Sequence, residues 1–116
     1  MLSEVWIVDD DPAILSLVTV ALERFGADVR KFSTVSAVID ALASGSSPDV
    51  CLADWTMADG PILRAVPLMP NTRVVVMSGN PAAETGLPEQ VEWLSKPFRL
   101  AELSRLVETA EPELRP

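Results

Sequence analysis

Three almost wholly apolar runs stand out along the chain, and each ends abruptly at a polar or acidic residue. They cover residues 4–8, 50–54 and 73–77. Such runs are too short for an amphipathic helix, and continuous apolarity is typical of strands that are buried on both faces of a parallel sheet. Two weaker runs, at 27–32 and 91–94, carry charged residues, which suits strands at the edges of the same sheet.

Helical periodicity separates the first three strands. Apolar residues recur every three or four positions within 14–25, Pro12 stands at the predicted first helical position, and Gly26 follows the predicted end. A second helix is predicted to begin after a cap at Ser33 or Thr34, because a hydroxyl there can accept a hydrogen bond from a free backbone N–H. These two helices connect the strands in the manner of a parallel sheet.

The later part of the chain is less regular. A short helix is predicted at 62–66 and a last helix at 98–110. Residues 80–90 leave room for one or two helical turns at most, since two prolines and a glycine interrupt the pattern. The sequence therefore predicts a shortened fourth helix.

Five strands that alternate with helices predict a three-layer α/β fold with a doubly wound, five-stranded parallel sheet. The order 2-1-3-4-5 places the three apolar strands in the middle and the two charged strands at the edges. We expect residues 1–116 to form a single domain, with 110–116 as a frayed tail. In such sheets ligands bind at the carboxyl ends of the strands, at the switch point between strands 1 and 3.

The composition argues against several classes of function. The net charge of −8 disfavours nucleic acids and anionic membranes, and no apolar run approaches the roughly 20 residues that cross a bilayer. The chain has no histidine, which excludes serine-histidine and cysteine-histidine catalysis, histidine-ligated metals and a phosphohistidine of its own. The single cysteine cannot form an internal disulfide, and the N-terminus lacks signal-type features, so we expect a cytoplasmic protein.

Acidic residues gather at the predicted switch point. Asp9, Asp10 and Asp11 follow the first strand, and Asp54 ends the third. Each one singly could be a helix cap or a turn residue, and at least one of the first three should cap the helix that begins near Pro12. Together, however, neighbouring carboxylates repel one another unless a cation lies among them. An all-oxygen site without histidine or cysteine selects Mg²⁺, Mn²⁺ or Ca²⁺.

Two further polar side chains reach the same edge of the sheet. Ser78 ends the fourth strand before Gly79, and Lys96 follows the fifth strand. A lone lysine is usually a solvated surface charge, and a serine before a glycine is usually a turn residue. In this position they instead add a hydroxyl and an ammonium group to the carboxylates.

This set of residues resembles a CheY-like response-regulator receiver domain over essentially the whole chain. Four motifs carry the resemblance, in order at the ends of strands 1, 3, 4 and 5. They are Val8-Asp9-Asp10-Asp11-Pro12, Asp54-Trp55-Thr56-Met57, Ser78-Gly79 and Lys96-Pro97-Phe98.

The resemblance implies a role in two-component signalling or a phosphorelay for each motif. Asp54 would accept a phosphoryl group from a phosphohistidine, with Mg²⁺ held by Asp9, Asp10, Asp54 and the backbone carbonyl of Thr56. Lys96 would neutralise charge on the transferring oxygens, while Ser78 and Trp93 would be the switch residues. Since the chain has no histidine, the donor is expected to be a separate histidine kinase or histidine phosphotransfer protein. We expect a stand-alone receiver that hydrolyses its own phosphoryl group slowly and is not otherwise an enzyme.

The chain departs from the family pattern in two intervals. The segment 54–60 is about two residues shorter than usual, and Ala58 replaces a proline. The interval 78–96 is shorter by about one helical turn. Because this second interval holds the fourth helix, which often forms part of the output face, partner recognition is expected to be remodelled.

Three alternatives remain at the level of sequence. A pseudo-receiver would keep the fold as a protein-binding scaffold without phosphorylation, although a scaffold has no need of a charge cluster. A Mg²⁺-dependent aspartyl phosphatase would need a general acid two residues after its nucleophile, where this chain has Thr56. A flavodoxin would need hydroxyls and amides in the first loop, where this chain has three carboxylates.

Overall fold

The computed structural model describes residues 3–79, 91–96, 98, 99 and 101–105. The strands are β1 (Glu4–Val8), β2 (Asp28–Phe32), β3 (Val50–Asp54), β4 (Arg73–Ser78) and β5 (Val91–Ser95). All of the sheet neighbours are parallel, and the strand order is β2-β1-β3-β4-β5. The fold predicted from the sequence is therefore confirmed.

The burial of the strands follows their composition. β1, β3 and β4 lie in the middle of the sheet and are buried along almost their whole length. The edge strands β2 and β5 contain both buried and exposed positions, and their charged residues are exposed to water. Burial of both faces thus selects the three apolar runs for the interior, as expected for a parallel sheet.

Helix α1 (Pro12–Arg24) begins and ends where the sequence indicates. The side chain of Asp11 is its N-cap and accepts a hydrogen bond of 2.9 Å from the backbone N–H of Ala13. Gly26, which follows the helix, has a φ of 92°, a conformation that favours glycine. Of the three consecutive aspartates, Asp11 is therefore the one with the structural role of a cap.

Helix α2 (Val35–Ala43) has Thr34 as its N-cap, and the Thr34 hydroxyl accepts a hydrogen bond of 3.1 Å from the N–H of Ala37. The core lies in two layers, one on each face of the sheet. The layer on the side of α2 contains Trp6, Val8 and Met57. The layer on the side of α1 contains Leu22 together with Leu103, which belongs to the helical segment 101–105.

The segment predicted as a helix at 62–66 differs from that expectation. It consists of two single-turn 3₁₀ helices, Ile62–Arg64 and Val66–Leu68. Pro67 explains why no α-helix runs through this segment, because proline inside an α-helix removes one backbone donor and its ring collides with the preceding turn.

The ends of several other elements are also defined by the structure. β2 begins at Asp28, whereas β4 and β5 extend to Ser78 and Ser95. Residues 98 and 99 precede the last helical segment, and the Glu102 side chain accepts a hydrogen bond from the N–H of Arg99.

The shortened fourth helix predicted within 80–90 and the frayed tail predicted at 110–116 lie outside the described residues. None of the helices in the described part of the chain has the length and apolarity needed to cross a bilayer.

Candidate functional site

The topology brings the carboxyl ends of four strands to one edge of the sheet. Asp9 and Asp10 follow β1, Asp54 is the last residue of β3, Ser78 is the last residue of β4, and Lys96 follows β5. The parallel register fixes their relative heights, because Asp54 pairs with Met77 and Ser78 pairs with Ser95. The site is thus assembled from residues that are distant in the sequence.

Three carboxylates form the centre of this site. One oxygen from each of Asp9, Asp10 and Asp54 lies within 4.8 Å of the others. Asp9 is buried, Asp54 is half-buried and Asp10 is exposed. The site is therefore open to solvent on the side of Asp10 and closed beneath Asp9.

Asp9 has two carboxylate oxygens with different surroundings. Its Oδ1 accepts a hydrogen bond of 2.9 Å from the N–H of Asp11. Its Oδ2 is buried and has no hydrogen-bond partner among the described residues, although the Lys96 ammonium lies 3.6 Å away. Burial raises the pKa of Asp9, and the charges of Asp54 and Asp10 act in the same direction. The hydrogen bond from the Asp11 N–H and the positive charge of Lys96 lower this pKa.

The chemistry of these donors fits a divalent cation. A buried carboxylate oxygen without a hydrogen bond is costly, and a bound cation would remove this cost together with the repulsion among the three carboxylates. The ligand atoms are carboxylate oxygens, which suit Mg²⁺, Ca²⁺ and Mn²⁺ better than zinc or copper. The residues therefore fit the magnesium site that the sequence predicts.

Lys96 faces two of the three carboxylates. Its ammonium nitrogen lies 3.6 Å from Asp9 Oδ2 and 3.6 Å from Asp54 Oδ1. The backbone N–H of Lys96 donates a hydrogen bond of 2.9 Å to the carbonyl of Ser78, which continues the pairing of β4 and β5 by one residue. The main chain thus fixes the base of a long, flexible side chain and directs its charge to the site.

The predicted switch residues lie on the same face of the sheet. Ser78 is buried at the end of β4, and Trp93 is half-buried on the edge strand β5. Trp93 pairs with Val76, which is two residues before Ser78, and side chains two residues apart share one face of a strand. The switch roles of both residues remain predictions.

The loop after β3 approaches the site through backbone N–H groups. The N–H of Thr56 donates to Asp54 Oδ1 at 3.2 Å, and the N–H of Ala58 donates to Asp10 Oδ2 at 3.3 Å. The Ala58 contact depends on a departure from the family pattern, since proline at this position would have no N–H to donate.

The role of Asp59 in this region was not predicted from the sequence. Its carboxylate accepts hydrogen bonds from the N–H groups of Val35, at 3.0 Å, and Ser36, at 2.9 Å. These two hydrogen bonds hold the pKa of Asp59 below its ordinary value, and the bond from Ser36 makes the larger contribution. An aspartate before Gly60 is common turn chemistry, so the sequence carries no signal that it reaches a helix more than twenty residues away.

Comparisons with known proteins agree with this geometry. The family model of the response regulator receiver domain matches residues 5–108. The chain is 36% identical over 115 residues to the DNA-binding transcriptional regulator NtrC of Azospirillum brasilense, covering 90% of this chain and 23% of that protein. It is 34% identical over 114 residues to NtrC of Escherichia coli strain K12, covering 91% and 24%. The chain thus spans about a quarter of the length of these relatives.

Solved structures share the same fold. A response regulator receiver domain protein of Clostridium thermocellum has a TM-score of 0.84 at 24% identity, and the match covers 97% of both chains. A response regulator receiver protein of Sinorhizobium medicae has a TM-score of 0.79 at 27% identity, with 94% of both chains covered. The match to the family model and the NtrC relatives, together with the sheet order and the clustered aspartates, show that this chain belongs to the response regulator receiver domain family.

Proposed function

We propose that this chain accepts a phosphoryl group on Asp54 from a phosphohistidine of another protein, in a reaction that depends on Mg²⁺. One observation carries the proposal. The Lys96 ammonium lies 3.6 Å from both Asp9 and Asp54, beside a cluster of three carboxylates at the carboxyl edge of the sheet. A nucleophile, a fixed cation and a set of metal ligands therefore lie together.

Asp54 acts as the nucleophile. Among the described residues, its hydrogen bond from Thr56 and its ion pair with Lys96 both involve Oδ1, and we therefore assign Oδ2 as the attacking oxygen. A bond forms between this oxygen and phosphorus, while the bond from phosphorus to the imidazole nitrogen of the donor breaks. The departing imidazole takes up a proton from solvent.

Lys96 and the acidic residues provide the electrostatic part of the reaction. The ammonium group of Lys96 neutralises charge on the oxygens of the transferring group, which is the main contribution a protein makes to phosphoryl transfer. Asp9, Asp10, Asp54 and the carbonyl of Thr56 would hold Mg²⁺. When bound, the ion supplies further positive charge beside the same oxygens.

Residues 1–116 contain no histidine, so the phosphohistidine of the proposed donor lies outside them. A surface suited to a protein donor adjoins the site. Ile14, Leu17 and Phe98 line a groove of about 390 Å³ together with Lys96, and Leu17 is 58% exposed. A protein that delivers a phosphohistidine to Asp54 has to contact this border, so we propose a histidine kinase or a histidine phosphotransfer protein as the partner, acting in the cytoplasm.

The phosphorylated state would be the signal. Ser78 lies at the end of β4 beside the site, and we propose that its hydroxyl moves to the phosphoryl group while the ring of Trp93 follows. Water then slowly hydrolyses the acyl phosphate and restores the Asp54 carboxylate. The chain would thus turn over no substrate other than its own phosphoryl group.

Tryptophan fluorescence tests the proposal. Trp55 adjoins Asp54, so we expect Mg²⁺ to change the emission, and beryllofluoride, which mimics a phosphoryl group, to change it further only with Mg²⁺ present. Trp55→Phe assigns the signal, since the chain also contains Trp6 and Trp93. Asp54→Ala should lose the response to beryllofluoride. A folded wild type without any response would instead indicate a protein-binding scaffold that is not phosphorylated.

A further inference from the structure

The loop between β3 and the first 3₁₀ helix is held at several points along its length. The N–H of Trp55 donates to the carbonyl of Met77 at 2.8 Å, and the side chain of Met57 is buried in the core layer of α2. At the far end of the loop, the guanidinium of Arg64 donates to the carbonyl of Asp59 at 2.8 Å. The loop therefore has a defined path across the site.

Asp59 connects this loop to α2. Thr34 satisfies the N–H of Ala37, whereas Asp59 satisfies the two preceding N–H groups, those of Val35 and Ser36. The first turn of α2 has no acidic residue of its own, so the charge that complements the positive end of the helix comes from the loop. Two parallel hydrogen bonds to one carboxylate also fix the orientation of Asp59.

The position of Asp59 bears directly on the carboxylate cluster. The residue before it, Ala58, donates its N–H to Asp10, and Thr56 lies only three positions before it. Anchoring Asp59 at α2 therefore restricts both the N–H that reaches Asp10 and the carbonyl of Thr56. Gly60 permits the turn, since its φ is 115° and a Cβ there would lie 3.1 Å from Arg64 Nε.

We infer that Asp59 is a positioning residue for the metal site, which acts by anchoring the loop with Thr56 and Ala58 to the N-terminus of α2. This inference rests on the proposed function, because it concerns the affinity of the same site for Mg²⁺. By thermodynamic linkage, the coupling between the metal site and the loop anchor is reciprocal. A cation bound at the aspartates should therefore stabilise the hydrogen bonds at the beginning of α2.

The test compares two caps of the same helix. Asp59→Ala removes the anchor of the loop, whereas Thr34→Ala removes a hydrogen bond to α2 without altering the loop. Mg²⁺ titrations followed by tryptophan fluorescence should give an affinity about tenfold weaker in Asp59→Ala, as is usual when a residue that orients metal ligands is lost. Thr34→Ala should retain the wild-type affinity, and Asp59→Asn, which keeps one oxygen acceptor, should be intermediate and provides a milder variant.

Hydrogen exchange gives a second readout that is independent of phosphorylation. Mg²⁺ should slow amide exchange at Val35 and Ser36 in the wild type and in Thr34→Ala, where the anchor is intact. It should leave exchange at these positions unchanged in Asp59→Ala.

Two results would overturn the inference while leaving the proposed function intact. They are wild-type Mg²⁺ affinity in both Asp59 variants, and equal weakening in Asp59→Ala and Thr34→Ala, which would reflect helix stability alone. Failure of the wild type itself to bind Mg²⁺ would overturn the proposed function, and the inference with it.

Discussion

Asp9 is the residue at which the requirements of folding and of the site conflict. Its side chain is fully buried, and Asp54 and Asp10 lie beside it. Burial raises its pKa, so the ionised form is less favourable in the folded chain than in the unfolded chain. At neutral pH the charged carboxylate therefore lowers the stability of the metal-free protein, and a cation bound there would offset this cost.

Asp9→Asn should separate these two effects. Asparagine retains an oxygen that can accept the N–H of Asp11 but has no charge, so we expect the metal-free protein to have a higher melting temperature. The variant should also lose its stabilisation by Mg²⁺. Thermal unfolding with a chelator and with excess Mg²⁺ measures both effects. A lower melting temperature without metal would contradict this account of Asp9.

Lys96→Met tests the fixed cation. Methionine keeps an unbranched side chain but removes the charge near Asp9 and Asp54, so phosphorylation by phosphoramidate should slow by about 100-fold, the usual order for loss of one group that stabilises transition-state charge. The rate can be followed by the intact mass of the protein. Circular dichroism provides the control for folding, and an unchanged rate in a folded variant would exclude the proposed role of Lys96.

At the scale of elements, the sequence predicted those parts whose cause is local. The central strands follow from their apolar runs, and α1 from its periodicity together with Pro12 and Gly26. The segment after Gly60 was predicted as one helix at 62–66 that ends before Pro67, whereas the structure has two 3₁₀ turns, the second of which contains Pro67. The anchoring of α2 by Asp59 was missed because its donors come from a distant part of the chain.

The pH dependence of stability should reveal the contact between Asp59 and α2. Because the folded-state pKa of Asp59 lies below its ordinary value of 3.8, its contribution is complete above that pH and is lost as the pH falls through the folded-state pKa. Urea midpoints of wild type and Asp59→Asn should therefore differ near pH 6, and the difference should shrink as the pH falls below the ordinary pKa of 3.8. A difference that is independent of pH would show that the charge of Asp59 does not contribute.

At the scale of the whole molecule, the strand order explains how the candidate metal site is assembled. β1 and β3 are neighbours, although more than forty residues separate Asp9 from Asp54 in the sequence. Folding is required to bring these carboxylates together, so a ligand that bridges them binds the folded state and not the unfolded chain. The sequence could predict this convergence through the topology, but not which aspartate would be buried and which would be the cap.

Mg²⁺ should consequently stabilise the entire fold. At a concentration 100 times its dissociation constant, the expected gain is about 2.7 kcal/mol, which appears as a higher melting temperature. NaCl at the same ionic strength is the necessary control, because the net charge of −8 means that screening alone also stabilises the protein. Equal effects of the two salts would argue against a specific site.

The most direct test of the central claim is chemical identification of the phosphorylated residue. Wild-type protein is treated with a phosphohistidine donor and Mg²⁺, and the product is reduced with borohydride, which converts an aspartyl phosphate to homoserine. Peptide mass spectrometry should then find homoserine at position 54 in the wild type and no such product in Asp54→Asn. Conversion at a different residue, or none in a folded wild type that binds Mg²⁺, would contradict the account.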